Sequence, residues 1–68
     1  MGRKDESILI WFNPDINIYQ RGSERDFEKT ILKGHEKSSY QVLYQYKRTS
    51  DAIINTVLNS LNRVHVNN

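Results

Sequence analysis

The side chains able to ligate metals or move protons are scattered along this sequence rather than grouped. Its two histidines, His35 and His65, form no H-x-x-x-H pair, and the chain contains no cysteine. Because zinc sites combine closely spaced histidine and cysteine ligands, the sequence predicts no metal site, and it indicates no cofactor. Both histidines are predicted to be solvated surface residues.

Nucleophilic and acid–base catalysis also lack a recognisable arrangement. Ser23, Ser38 and Ser39 stand outside the glycine-flanked elbow that positions a hydrolase nucleophile. Glu24 and Asp26 have the positions expected of negative charges at a helix N-terminus, where they interact with the helix dipole. We therefore predict no catalytic residue, no enzymatic activity and no small-molecule substrate.

Recognition of another molecule is better represented, and Trp11 is the residue most suited to it. It belongs to an apolar run in which side chains alternate between two faces of a strand. Ile8, Ile10 and Phe12 therefore point to one face, and Leu9 and Trp11 point to the other. Tryptophan is common at interface hot spots, but it also anchors the cores of small proteins. The sequence leaves both roles of Trp11 open.

A second mode of recognition involves cations and aromatic side chains. Tyrosines at positions 40, 44 and 46 alternate along one predicted strand, and such rows can stack nucleic-acid bases. A basic edge near them could contact phosphates through Lys29, Lys33, Lys37, Lys47 and Arg48. The net charge of +2 permits nucleic-acid binding without requiring it. A solvated basic surface and ordinary strand packing are simpler interpretations, so nucleic-acid binding is the alternative.

A sheet is needed to position these aromatic and apolar residues, and its first hairpin is clear. The first strand is predicted over Ser7–Asn13 and the second over Ile18–Arg21. Pro14 presets the backbone of the turn between them. Because Ile16 is β-branched and resists positive φ, Asn17 is predicted to adopt the left-handed conformation.

A short helix and a third strand follow the hairpin. Ser23 is a suitable N-cap, and Asp26 has the position of its partner in a capping box. Phe27 lies on the narrow apolar face of this helix, and Gly34 is its expected C-cap. The third strand is predicted over Tyr40–Lys47 because its residues alternate and favour β-structure.

The strongest helix signal lies near the C-terminus. A helix is predicted from Ser50 or Asp51 to Arg63, with a wide apolar stripe made by Ile53, Ile54, Val57, Leu58, Leu61 and Val64. Asparagines at positions 55, 59 and 62 occupy the opposite side and are expected to meet solvent. Residues 1–6 are predicted to be a flexible arm, residues 65–68 a frayed tail, and residues 7–64 one compact domain.

These elements predict an α+β fold with the order β-β-α-β-α. Topology rules place the third strand beside the first, which gives a three-stranded antiparallel sheet of order 2-1-3. Both helices are expected to cover one face of this sheet. That face is expected to carry the three tyrosines of the third strand together with Ile8, Ile10, Phe12 and Val42.

The opposite face of the sheet would then be open to a partner, through Leu9, Trp11, Tyr19 and Leu43. A chain of 68 residues without disulfides gains only ~3–5 kcal/mol from one core, so help from a second chain is expected. The sequence thus predicts a protein–protein interaction module, a homodimer or a subunit of a larger assembly, using the open face or an edge strand. Its apolar runs are too short for a membrane span, and a cytoplasmic location is expected.

Overall fold

The computed structural model describes residues 7–31 and 39–67 of the chain, which contain three strands and two helices. The strands are β1 (Ile8–Asn13), β2 (Ile18–Gly22) and β3 (Val42–Tyr46), and the helices are α1 (Glu24–Ile31) and α2 (Asp51–Asn67). The three strands form an antiparallel sheet with the order β2-β1-β3. The predicted α+β class, element order and strand order are confirmed.

The hairpin between β1 and β2 closes through a turn that follows its sequence. Asn17 has a φ of 62°, which confirms its predicted left-handed conformation. The backbone carbonyl of Asn13 accepts a hydrogen bond from the N–H of Asn17 at 2.7 Å, and the side-chain Oδ1 of Asn13 accepts one from the N–H of Asp15 at 2.9 Å. Nδ2 of Asn13 donates to Gln20 at 2.9 Å. The buried amide of Asn13 therefore organises the turn.

Helix α1 begins with the predicted capping box and covers one face of β1. The backbone N–H of Ser23 donates to Oδ2 of Asp26 at 3.1 Å, and the N–H of Asp26 donates to Oγ of Ser23 at 3.2 Å. Phe27 packs edge-to-face against Trp11, with ring centroids 5.1 Å apart. These two residues belong to a buried cluster with Leu9 and Tyr40.

Helix α2 covers the opposite face of the sheet. His65 on α2 contacts Phe12, the immediate neighbour of Trp11 on β1, with ring centroids 5.2 Å apart. Arg21, which pairs with Ile10 across the hairpin, forms an ion pair with Asp51 on α2 at 2.9 Å. Since neighbouring residues of a strand point to opposite faces, α1 and α2 lie on different sides of β1.

The prediction that both helices share one face was therefore wrong. Each face of β1 carries large apolar side chains, and each receives its own helix. The sequence pattern had shown correctly that both faces of β1 need cover, and the structure supplies that cover from within the chain.

A bulge in β3 changes which residues share a face. Ile10 pairs with Tyr44, but the next residue of β1, Trp11, pairs with Val42, so Leu43 is the extra residue. Tyr40 lies beyond this bulge and is buried beside Trp11, on the α1 side of the sheet. Tyr44 pairs with Ile10 and faces α2. The predicted single row of tyrosines, and the placement of Val42 with Ile10, are thus corrected.

Helix α2 continues to Asn67 and includes residues 65–67, which had been predicted as a frayed tail. The extension is anchored because Nε2 of His65 donates to Oδ1 of Asn17 at 3.1 Å. Over the described ranges, neither helix combines the length and the apolar character that crossing a bilayer requires. The predicted arm at residues 1–6 and the C-cap at Gly34 lie outside the described residues.

Candidate functional site

The four residues predicted to bind a partner do not form one surface. Leu9 and Trp11 are buried under α1, and Trp11 is only 2% exposed. Tyr19 lies on the other face, half-buried against α2. Leu43 is half-buried at the bulge of β3. The expected open face around Trp11 does not exist, because α1 packs on it, and Trp11 has the role of a core anchor.

An apolar groove lies instead between α2 and β3. It has a cavity volume of about 450 Å³ and its lining includes Tyr19, Tyr44, Val57, Leu61, Val64 and His65. We call it the α2–β3 groove. Helix α2 contacts β2 much more extensively than β3, so α2 leaves the part of the sheet face above β3 uncovered.

The rim of the α2–β3 groove exposes large apolar side chains. Tyr44 is 46% exposed on the sheet side, and Val64 is 60% exposed on the helix side. Ile53, which is 56% exposed, lies one helical turn before Val57 on the same side of α2. Tyr46 extends the apolar surface along β3, with its ring centroid 6.2 Å from that of Tyr44. Contiguous exposed apolar surface of this kind marks binding sites.

Three rings hold the closed side of the groove together. Phe12, Tyr19 and His65 make mutual edge-to-face contacts, with centroid separations of 5.1, 5.2 and 5.7 Å. Such pairs add to the energy of burial and fix ring orientation. These ring contacts hold the C-terminal end of α2 against the sheet. His65 had been predicted to be solvated, and instead it packs in this cluster.

The outer edge of β2 is closed by a side chain of α2. Oδ1 of Asn62 accepts the backbone N–H of Tyr19 at 2.7 Å, and Nδ2 of Asn62 donates to the carbonyl of Tyr19 at 3.1 Å. Oδ1 of Asn55 similarly accepts a hydrogen bond from Arg21 at 2.9 Å. Asn55 is exposed, as predicted, whereas Asn62 had been predicted to meet solvent and is half-buried. Nothing in the sequence distinguishes Asn62 from the exposed Asn59.

The outer edge of β3 is different. Within residues 7–31 and 39–67, the sheet ends at β3 and no further strand pairs with it. The backbone N–H of Phe12 donates to the carbonyl of Gln41 at 3.0 Å. This hydrogen bond shows that β1 occupies the inner edge of β3. Tyr44 of β3 lines the α2–β3 groove. Within the described residues, an unpaired strand edge therefore lies beside an apolar groove.

A buried tyrosine links the hairpin turn to the segment before β3. The hydroxyl of Tyr40 donates to Oδ2 of Asp15, and Tyr40 is almost completely buried. The hydrogen bond to Asp15, desolvation and the negative charge of Asp15 together raise the pKa of Tyr40 to about 12. This pair lies on the α1 side, away from the α2–β3 groove, and its role is structural.

The cations of the predicted basic edge are only partly within the described residues. Lys29 is exposed on α1, and Lys47 and Arg48 are exposed just after β3. Arg48 has a φ of 58°. Lys33 and Lys37 lie outside the described ranges, so the edge as predicted stays a prediction.

The groove contains hydroxyl and imidazole groups, but their contacts do not resemble a catalytic arrangement. Nε2 of His65 is bonded to the amide oxygen of Asn17, and the hydroxyl of Thr56 donates to the carbonyl of Ala52 at 2.9 Å. A nucleophile needs a base within hydrogen-bond reach, and these bonds point elsewhere. Across the described part of the chain, no three histidine or carboxylate side chains gather as metal ligands.

The residues of the α2–β3 groove were partly visible in the sequence. The apolar stripe of the second helix is wider than one contact with a sheet requires, and its excess members Val57, Leu61 and Val64 line the groove. Tyr44 was predicted to be covered by the helices. Comparison with protein-family models, with curated proteins and with solved structures finds no significant match for this chain.

Proposed function

We propose that this chain is a non-enzymatic protein–protein interaction module that binds its partner at the α2–β3 groove. The observation that carries this proposal is the exposure of Tyr44 and Val64 on opposite rims of an apolar groove of about 450 Å³. Apolar side chains on both rims gain free energy when a partner removes them from water. The adjacent edge of β3, with which no strand of residues 7–31 and 39–67 pairs, can add main-chain hydrogen bonds to the same contact.

The groove replaces the site predicted from the sequence while keeping the same class of function. An open sheet face and an edge strand were the predicted binding elements, and the uncovered part of the face above β3 contains both. The partner-facing residues are then Tyr44, Val57, Leu61 and Val64 in place of Leu9 and Trp11.

Site-specific photocrosslinking in cells that express the protein tests this proposal. A photoreactive phenylalanine analogue at position 44 or 64 is expected to yield covalent adducts with protein. The same analogue at position 16 is the control, because Ile16 is 52% exposed but lies in the hairpin turn. Protein adducts of equal yield at all three positions, or none at positions 44 and 64, would overturn the proposal.

A second candidate function is single-stranded nucleic-acid binding. Two exposed or half-exposed rings, Tyr44 and Tyr46, lie side by side on β3 with the cations Lys47 and Arg48 directly after them. Rings of this kind stack bases, and the cations would neutralise phosphates. Charge reversal of Lys47 and Arg48 is then expected to abolish oligonucleotide binding and its salt dependence. Absence of wild-type binding at about 50 mM salt removes this candidate.

A further inference from the structure

We infer that the partner at the α2–β3 groove is a second copy of this chain, joined through antiparallel pairing of β3 with β3 across a two-fold axis. This inference rests on the proposed function, because it identifies the occupant of the same surface. The result would be a continuous six-stranded sheet in the order β2-β1-β3-β3-β1-β2.

The chemistry of β3 favours pairing with itself. In an antiparallel pair about a two-fold axis, the residue on the axis meets its own equivalent, so a charged residue there would face a like charge. The sequence of β3 is Val-Leu-Tyr-Gln-Tyr and contains neither a charge nor a proline. Lysine, proline and inward charges are the devices that normally prevent such edges from pairing, and β3 has only its bulge.

The flanking cations also fit a two-fold arrangement. In a register that centres the axis on Tyr44, Val42 lies opposite Tyr46 of the second copy, and Lys47 follows β3 at the end next to Gln41 of the second copy. Arg48 leaves the strand direction with a φ of 58°. The cations of the two copies therefore lie at opposite ends of the paired strands. Antiparallel self-pairing therefore separates the positive charges that a parallel arrangement would bring together.

The same two-fold operation joins the α2–β3 grooves of the two copies. Rotation about an axis perpendicular to the sheet keeps the α2 side of both copies on the same side of the extended sheet. Because α2 lies mainly over β2, the two helices stay apart and the grooves join above the paired β3 strands, where the exposed Tyr44 rings of the two copies approach each other. One interface thus satisfies the free strand edge and covers apolar surface.

Assembly would stop at two copies because the contact is isologous and a side chain of α2 already occupies the other sheet edge at Tyr19. Asn62 binds both the N–H and the carbonyl of Tyr19, which occupies the outward-facing backbone groups of β2 at that position. An isologous contact through β3 leaves no second pairing edge of the same kind, so it forms a closed dimer rather than a fibre.

Sedimentation equilibrium of the purified full chain at micromolar concentration tests this inference. We expect a mass of twice 8.1 kDa. Tyr44→Lys places two like charges at the axis and is expected to weaken dimerisation by at least about tenfold. The substitution leaves a folded monomer, since Tyr44 is already 46% exposed. Ile16→Lys, at a similarly exposed apolar residue in the turn, is expected to leave the dimer intact.

Amide hydrogen exchange distinguishes strand pairing from other contacts. The backbone N–H and carbonyl of Tyr44 point toward β1. Because these groups point to alternate edges along a strand, the N–H of Gln45 points to the outer edge. Exchange at Gln45 is expected to slow as protein concentration rises. A dimer without this protection overturns the β3 pairing. A monomeric wild-type protein that still forms photoadducts with another protein overturns the second copy as the occupant while leaving the proposed function standing.

Discussion

Asn62 binds the backbone of Tyr19 as a neighbouring strand would, accepting its N–H at 2.7 Å and donating to its carbonyl at 3.1 Å. The two residues are 43 positions apart in the sequence. This single amide joins α2 to the outer edge of β2 and satisfies two backbone groups at once. It is also the feature that makes the two edges of the sheet unequal, because β3 has no comparable cover among the described residues.

Replacement of Asn62 should therefore lower the free energy of unfolding more than loss of so small a side chain suggests. Asn62→Ala leaves the N–H and carbonyl of Tyr19 without their partner, and we expect a loss of about 1–3 kcal/mol in the free energy of unfolding. Urea denaturation measures this loss. Asn59→Ala is the matched control, since Asn59 is exposed on the same helix, and it should change stability by less than about 0.5 kcal/mol. Equal effects of the two substitutions would contradict the edge-closing role.

Trp11 should behave as a core residue rather than a surface one. It is the only tryptophan, so its fluorescence reports its environment directly. We expect a blue-shifted emission and little quenching by acrylamide in the native protein, with both changing on unfolding. Trp11→Ala is expected to cost about 3–5 kcal/mol, as large core truncations do. Strong quenching of the native protein would restore the open face predicted from the sequence.

The C-terminal turn of α2 should contribute to stability through His65. His65→Ala removes the ring contacts with Phe12 and Tyr19 and the hydrogen bond to Asn17, and we expect a loss of about 1–3 kcal/mol. His65→Phe keeps ring packing and should lose less. Arg63→Ala, at an exposed position nearby, serves as the reference. Thermal unfolding of the three variants gives the ranking, and a His65→Ala variant as stable as the reference would indicate a frayed tail.

Stability should decline at alkaline pH because of Tyr40. Its pKa is raised from 10.0 in the unfolded reference to about 12 in the folded chain, so the folded state retains the proton longer. The stabilising contribution of the neutral hydroxyl is complete below pH 10 and is lost as the pH rises toward 12. Ultraviolet titration of tyrosinate absorbance should show a late-ionising step that belongs to Tyr40. Tyr40→Phe should remove that late step, and its persistence would assign the step to another residue.

The sequence by itself determined the features that depend on neighbouring residues. The left-handed Asn17 follows from excluding β-branched Ile16 from positive φ, and the structure confirms it. The capping box of Ser23 and Asp26 joins residues only three positions apart, so its chemistry is legible in the chain. The element order and strand order were predictable in the same way, because short connections and topology rules leave few arrangements.

Only the tertiary structure decided which helix covers which face. Leu9 and Trp11 on one side of β1, and Ile10 and Phe12 on the other, are both apolar, so burial energy alone does not choose between them. The bulge at Leu43 then moved Tyr40 and Tyr44 to opposite faces, since one extra residue reverses the alternation of a strand. Contacts between distant segments set both outcomes, and the hydrophobic periodicity within one segment does not predict such contacts.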